Sequence, residues 1–214
     1  MNARWIAKRY LKWAVEYGSE LTGMAAIYRN TNYYKKSFRV LTYHKITDSP
    51  KTTHDLTRKH FQEHVKILSN EYDVASLPDL AHQLKNFNAP KSGSLAITFD
   101  DGYSEISDYV AETLQKYGLT ATFFVVTGFI DGELKSDRGP YVSWDALRNM
   151  NRNGFSVGSH SVSHFSMNDM KPERLDRELS HSFQRIHSEL GSPPCGSSYP
   201  YGTRRDFSPV TRDA

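Results

Sequence analysis

Two carboxylates stand side by side at Asp100 and Asp101, at the end of the apolar run "LAITF" in "LAITFDDGYSE". Adjacent like charges against apolar residues are costly, so such a pair points to a cation, a proton transfer or both. Two imidazoles, His160 and His164, occur in "SHSVSH" amid small hydroxyl residues, where one helical turn would bring them to the same side. Taken alone they read equally well as two hydrogen-bonded loop histidines. With Asp101 they form a three-ligand set that leaves a coordination position open for water, the pattern of a catalytic rather than a structural zinc site. Asp100, needed by no ligand position, could then take a proton from that water.

Nine histidines make such spacings common, and the chain contains a second pair in "HFQEH". His60, Glu63 and His64 satisfy the H-x-x-E-H pattern of inverted zinc proteases, with Glu63 as the base. They fall on a helix whose apolar positions, Phe61, Val65 and Leu68, define a different face, which turns both histidines toward solvent. A short motif outside its context is weak, so the protease is the remote alternative.

The elements that must position these groups alternate in type. "FRVLTYH" reads as a strand, and Thr57 caps a helix over residues 58–72. "SLAITF" and "ATFFVV" are continuous apolar runs, the mark of strands buried on both faces of a parallel sheet. Between them runs a helix through "SDYVAETLQKYG", stopped by Gly118. Ser143 opens the helix "WDALRNMNRN", closed by Gly154, and "FSVGSH" follows as a strand. A charged helix starts at Pro172 and ends at Gly191, ahead of a short strand "SSYPYG". Alternation of this kind implies βαβ units, hence a parallel sheet or a β/α barrel, with active groups gathered where strands end. Asp100 and Asp101, the His160–His164 pair and His44 all stand at such ends. Neighbouring side chains on a strand face opposite ways, so both aspartates share a site only where the strand breaks, and Gly102 supplies the break.

The 214 residues, 38% of them hydrophobic, suffice for one core. A balance of 27 Lys and Arg against 24 Asp and Glu leaves +3, and no zinc finger, RNP box or basic zipper is present, so nucleic acid is not an expected partner. The single cysteine, Cys195, excludes an internal disulfide and reads as a small loop residue. Residues 1–36 form an amphipathic helical extension in which Trp5, Tyr10, Trp13 and Tyr17 mix with Arg4, Lys8, Arg9 and Lys12. This helix either packs on its own domain or makes a peripheral contact with an anionic membrane. No signal peptide and no run of about 20 uncharged apolar residues is visible, so the expected location is cytoplasmic or peripheral at the inner membrane face.

"TFDDGYSE", "HSVSH" and "YPYG", in this order and together with "VLTYHKI", "LTATFFVVTGFID" and "VSWDALRNM", resemble the polysaccharide deacetylases of carbohydrate esterase family 4, the NodB homology domain. Their joint occurrence is specific where each alone is weak. The resemblance implies a distorted (β/α) barrel over residues 37–214 and metal-dependent removal of N-acetyl groups from a polysaccharide of N-acetylhexosamines, releasing acetate. It assigns Asp100 as general base and Asp101, His160 and His164 as ligands of a divalent metal, zinc by default with cobalt or nickel possible. It also assigns the backbone N–H of Tyr201 to the oxyanion. The general acid is a late histidine in most members. In the exopolysaccharide, poly-N-acetylglucosamine branch it comes from an early Y-H segment, which points to His44. Two departures stand out. Ser198 replaces the arginine that orients the base, and the chain stops soon after "YPYG", so a C-terminally incomplete barrel is expected. A catalytically dead glycan-binding remnant is the alternative.

Overall fold

The structure is a computed structural model and describes residues 37–86, 94–168, 170–203 and 205–207, with Ile27 and Thr31. The expected N-terminal helical extension otherwise lies outside the described residues, as does the end of the chain beyond Phe207.

In chain order the elements are β1 (Arg39–Tyr43), α1 (Arg58–Glu71), β2 (Asp73–Val74), α2 (Leu77–Lys85) and β3 (Ser94–Phe99). A π-helical segment (Ile106–Val110) then leads into α3 (Ala111–Lys116), followed by β4 (Thr122–Val125), α4 (Thr127–Ile130), α5 (Trp144–Arg152) and β5 (Ser156–Ser159). Last come α6 (Pro172–Asp176), a second π-helical segment (Arg177–His181) and α7 (Ser182–Leu190). The expected caps are in place. Thr57 Oγ1 accepts from the His60 amide at 3.3 Å and Ser143 Oγ from the Ala146 amide at 3.2 Å, which satisfies donors a helix start leaves open. Gly191 ends α7 with φ +70°.

The strands of the described residues run parallel, four of them in the order β1-β3-β4-β5. β2 pairs with β3 on the edge that β4 occupies further along, because Leu95 has partners in both Arg39 and Val74. The expected strand "SSYPYG" contracts to one parallel bridge, Ser159 to Ser197. Pro200 has no N–H for a ladder, and Tyr201 has left the extended region at φ +65°. Among the described residues no ladder links this segment back to β1.

β3 is buried at every residue, as its unbroken apolar run requires. Leu95, Ile97 and Phe99 join the main core with Phe61, Val65 and Leu68 of α1, Val110, Leu114 and Ile186. Tyr43, Phe99 and Phe123 are cross-strand neighbours on β1, β3 and β4, with successive ring centroids 5.2 Å apart and nearly parallel. This aromatic row locks the register one residue before His44 and Asp100, so slippage would misplace both.

Candidate functional site

The chain leaves β3 with a change of face. Strand alternation puts Asp100 on the face of Ala96 and Thr98, and its amide still donates to Tyr43 O at 2.9 Å. Asp101 would point the opposite way, but its φ of +74° and that of Gly102, +76°, turn the backbone and bring the second carboxylate to the same rim. A Cβ at Gly102 would come within 3.1 Å of Val125 Cγ1, so this corner needs glycine for space as well as for φ.

The end of β5 supplies the imidazoles. Asp101 Oδ1 lies 3.5 Å from His160 Nε2 and 3.1 Å from His164 Nε2. One donor atom from each of the three residues falls within a 4.8 Å cluster. Asp101 Oδ1 is buried and forms no directional hydrogen bond. Buried oxygens are seldom left so, and this one faces two nitrogen donors across a small gap, which fits the coordination of a cation. Burial pushes the Asp101 carboxyl up, yet the adjacent His160 and His164 outweigh it and hold it below the usual carboxylate range. The same contacts raise His160 against the opposing effect of burial. Its Nδ1 donates to Ser198 O at 2.8 Å, which leaves Nε2 for the site.

Asp100 is 8% exposed beside this cluster. Burial pushes its carboxyl up, while His160, His44 and the Ser198 hydroxyl, 3.4 Å from Oδ2, pull down. His44 follows Tyr43, which pairs with Phe99, so His44 and Asp100 are the next positions on adjacent strands. Burial lowers His44 below the ordinary imidazole value, against the attraction of Asp101 and Asp100. His54 packs against it with ring centroids 5.4 Å apart. Tyr201 is 64% exposed, and its ring sits 5.0 Å from that of His164.

Among the described residues the non-glycine positions with positive φ are Asp101, Ser161, His164 and Tyr201, all at this rim. Each costs about 1–3 kcal/mol and persists only where surrounding contacts over-determine it. The rim is also braced from behind. Tyr103, 1% exposed, stacks on Tyr141, and burial together with the charge of Asp101 pushes its phenol above the usual range. The second histidine pair lies elsewhere. His60 and His64 are exposed on α1, and their Nδ1 atoms meet Thr57 Oγ1 at 3.0 Å and the Tyr43 hydroxyl at 3.1 Å. An apolar cavity of about 460 Å³ beside β5, between Leu175, Leu179 and Phe183, contains none of the titratable groups of the rim.

The polysaccharide deacetylase family model matches residues 87–212, more than half of the chain, and spans both the aspartates and the histidines. The chain belongs to the polysaccharide deacetylase family. YxkH of Bacillus subtilis, whose name carries the same family, is 26% identical over 164 residues, 76% of this chain and 56% of that protein. This chain thus spans little more than half of that relative. The poly-beta-1,6-N-acetyl-D-glucosamine N-deacetylase of Staphylococcus aureus is 23% identical, covering 87% of this chain and 72% of its own length. The fold matches the Streptococcus pyogenes deacetylase PplD in complex with acetate, with TM-score 0.73, 20% identity, and coverage of 82% of this chain and 77% of that one. It also matches IcaB from Ammonifex degensii, with TM-score 0.69, 21% identity, and coverage of 83% and 78%. Within this family member the sequence points to Asp100, Asp101, His160, His164, His44 and Tyr201, and the structure brings these together at one rim. It does not point to the Ser198 carbonyl, Tyr103 or Glu178, which reach the site through backbone atoms or from behind it.

Proposed function

We propose that the chain is a metal-dependent polysaccharide N-deacetylase that hydrolyses the N-acetyl group of N-acetylhexosamine units and releases acetate. The observation that carries this reading is the convergence of Asp101 Oδ1 with the Nε2 atoms of His160 and His164, with Asp100 beside them. The names of the relatives, poly-N-acetylglucosamine deacetylase among them, support the substrate class.

Asp101, His160 and His164 would hold a divalent cation, zinc by this donor set and cobalt or nickel by the same chemistry. Such an ion supplies Lewis acidity toward the acetyl carbonyl. Asp100 takes the proton of the attacking water, a task suited to a carboxyl raised by burial. The Tyr201 N–H donates to the oxygen that becomes negative as water adds. His44 gives the leaving amine its proton, and burial makes it the stronger acid once protonated. Proton removal at one side of the carbonyl and delivery at the amine require two groups at a short separation, which adjacent strand ends provide.

The test is acetate release from N-acetylglucosamine oligomers. Chelation should abolish it and added zinc restore it, and Asp100→Asn should lower turnover by about 10²–10⁴-fold with metal binding retained. Undiminished release after chelation, or from the Asp100→Asn protein, would refute the proposal. Oligosaccharide binding without any acetate would favour a glycan-binding protein instead.

A further inference from the structure

We propose that Glu178 is a positioning residue for the candidate metal centre, its buried carboxylate shaping the 161–164 turn so that His160 and His164 aim at one point. The inference rests on the reading of Asp101, His160 and His164 as ligands.

The turn between the two histidines is not helical, since Ser161 has φ +68° and His164 φ +58°. Its amides therefore have no carbonyls one turn back; at its start, where His160 is 2% and Ser161 1% exposed, water cannot serve them, while Val162, Ser163 and His164 are half-buried. Each amide finds another acceptor. His160 N donates to Val125 O at 2.9 Å, Ser161 N to Ser159 Oγ at 3.2 Å and His164 N to Ser161 Oγ at 3.0 Å. The middle two, Val162 N at 3.1 Å and Ser163 N at 2.8 Å, converge on Glu178 Oε2, and the Ser163 hydroxyl donates to Oε1. Glu178 is 7% exposed and belongs to the π-helical segment Arg177–His181, four residues ahead of Ser182. Ser182 Oγ meets Ser159 Oγ at 2.8 Å, so the same stretch of helix holds both the strand end that enters the turn and the turn's middle.

The residue type follows from this arrangement. A carboxylate is acceptor-only, and its two oxygens serve three donors with charge-assisted bonds. Without it two half-buried amides lose their protein acceptor, and the left-handed turn from Ser161 to His164 loses part of what constrains it. The relaxed turn then swings the His164 ring, whose aim is set by this backbone. Glu178 touches neither imidazole; it acts through the peptide chain.

The test measures zinc affinity by competition with a chromophoric chelator, together with the visible absorption of the cobalt-substituted protein. Glu178→Ala should weaken zinc by at least about tenfold and alter the cobalt spectrum, whereas Glu178→Gln, which still offers one oxygen to both amides, should stay within about threefold of the parent. Ile186→Val, a core trim on the same helix, should lower the melting temperature and leave zinc affinity unchanged; a merely structural Glu178 would behave the same way. Folded Glu178→Ala protein that binds zinc as tightly as the parent overturns the inference. Should that variant not fold, Glu178→Asp takes its place, with at least about fivefold weaker zinc binding expected and unchanged binding decisive against. A parent protein that binds neither zinc nor cobalt would overturn the ligand reading itself, and this inference with it.

Discussion

Ser198 touches the site through two different atoms, its hydroxyl 3.4 Å from Asp100 Oδ2 and its carbonyl 2.8 Å from His160 Nδ1. Side-chain substitution separates the two contacts. In Ser198→Ala the carbonyl remains, so zinc affinity should hold, while Asp100, the proposed base, loses a donor to its charged form. One net hydrogen bond of about 0.5–1.5 kcal/mol corresponds to a turnover loss of roughly 2- to 13-fold. Acetate-release kinetics on the alanine variant check this, and unchanged turnover would show that the hydroxyl does not assist Asp100. The contrast also explains what the sequence reveals at this scale. Asp100, Asp101, His160, His164 and His44 stand out because their side chains carry the chemistry and because each lies where an apolar run stops. Ser198 reads only as a small residue in an unexpected place, since a carbonyl has no residue-type signature. Glu178 is hidden for another reason: its partners, Val162 and Ser163, are contacted through their amides, and on a charged helix a glutamate reads as solvated surface.

The elements are legible where one dominant force sets them. Buried strands announce themselves as apolar runs, and α1, α5 and α7 carry their caps in the sequence at Thr57, Ser143 and Gly191. β2 has two residues, too few for a periodicity, and exists because Ala75 N and its neighbours find acceptors along β3. α2 follows Ser76 and contains Pro78 in its first turn, a start signal present in "SLPDL" that its short length obscures. Between elements the clearest fastening is Asp131, at the end of α4, which accepts from Trp144 Nε1 of α5 at 2.7 Å and from Arg185 Nε and Nη2 of α7 at 2.9 Å and 2.8 Å. Arg185 foremost, then Trp144, hold its carboxyl below the usual range against burial. A carboxyl depressed in the folded state adds stability above its unfolded value near pH 4 and loses it as the pH falls through the folded value. Asp131→Asn should therefore cost about 1 kcal/mol at neutral pH, discounted for the partly exposed arginine, which is about 2–4 °C in melting temperature. The gap between parent and variant should close as the pH is lowered below 4. Thermal melts at pH 7 and pH 3 measure it, and an equal gap at both would show that the contact acts by shape rather than charge.

For the molecule as a whole, strand–helix alternation gives a parallel α/β sheet but says nothing of strand order, because any right-handed crossover fits the same pattern. The order matters to function. β4 lies between β3, which carries the aspartates, and β5, which carries the histidines, so Asp101 meets His160 and His164 only after the central strand is in place. The three proposed ligands are therefore absent as a set from the unfolded chain, and an ion that binds them would add its binding free energy to folding. At a free zinc concentration 100 times the dissociation constant the added stability is about 2.7 kcal/mol, or roughly 5–10 °C in melting temperature for a chain of this size. The shift should grow with the logarithm of the zinc concentration, reverse on chelation, and vanish in His164→Ala, which loses a proposed ligand. A melting temperature indifferent to zinc, or one that rises as much in His164→Ala as in the parent, would mean that the ion binds elsewhere or not at all.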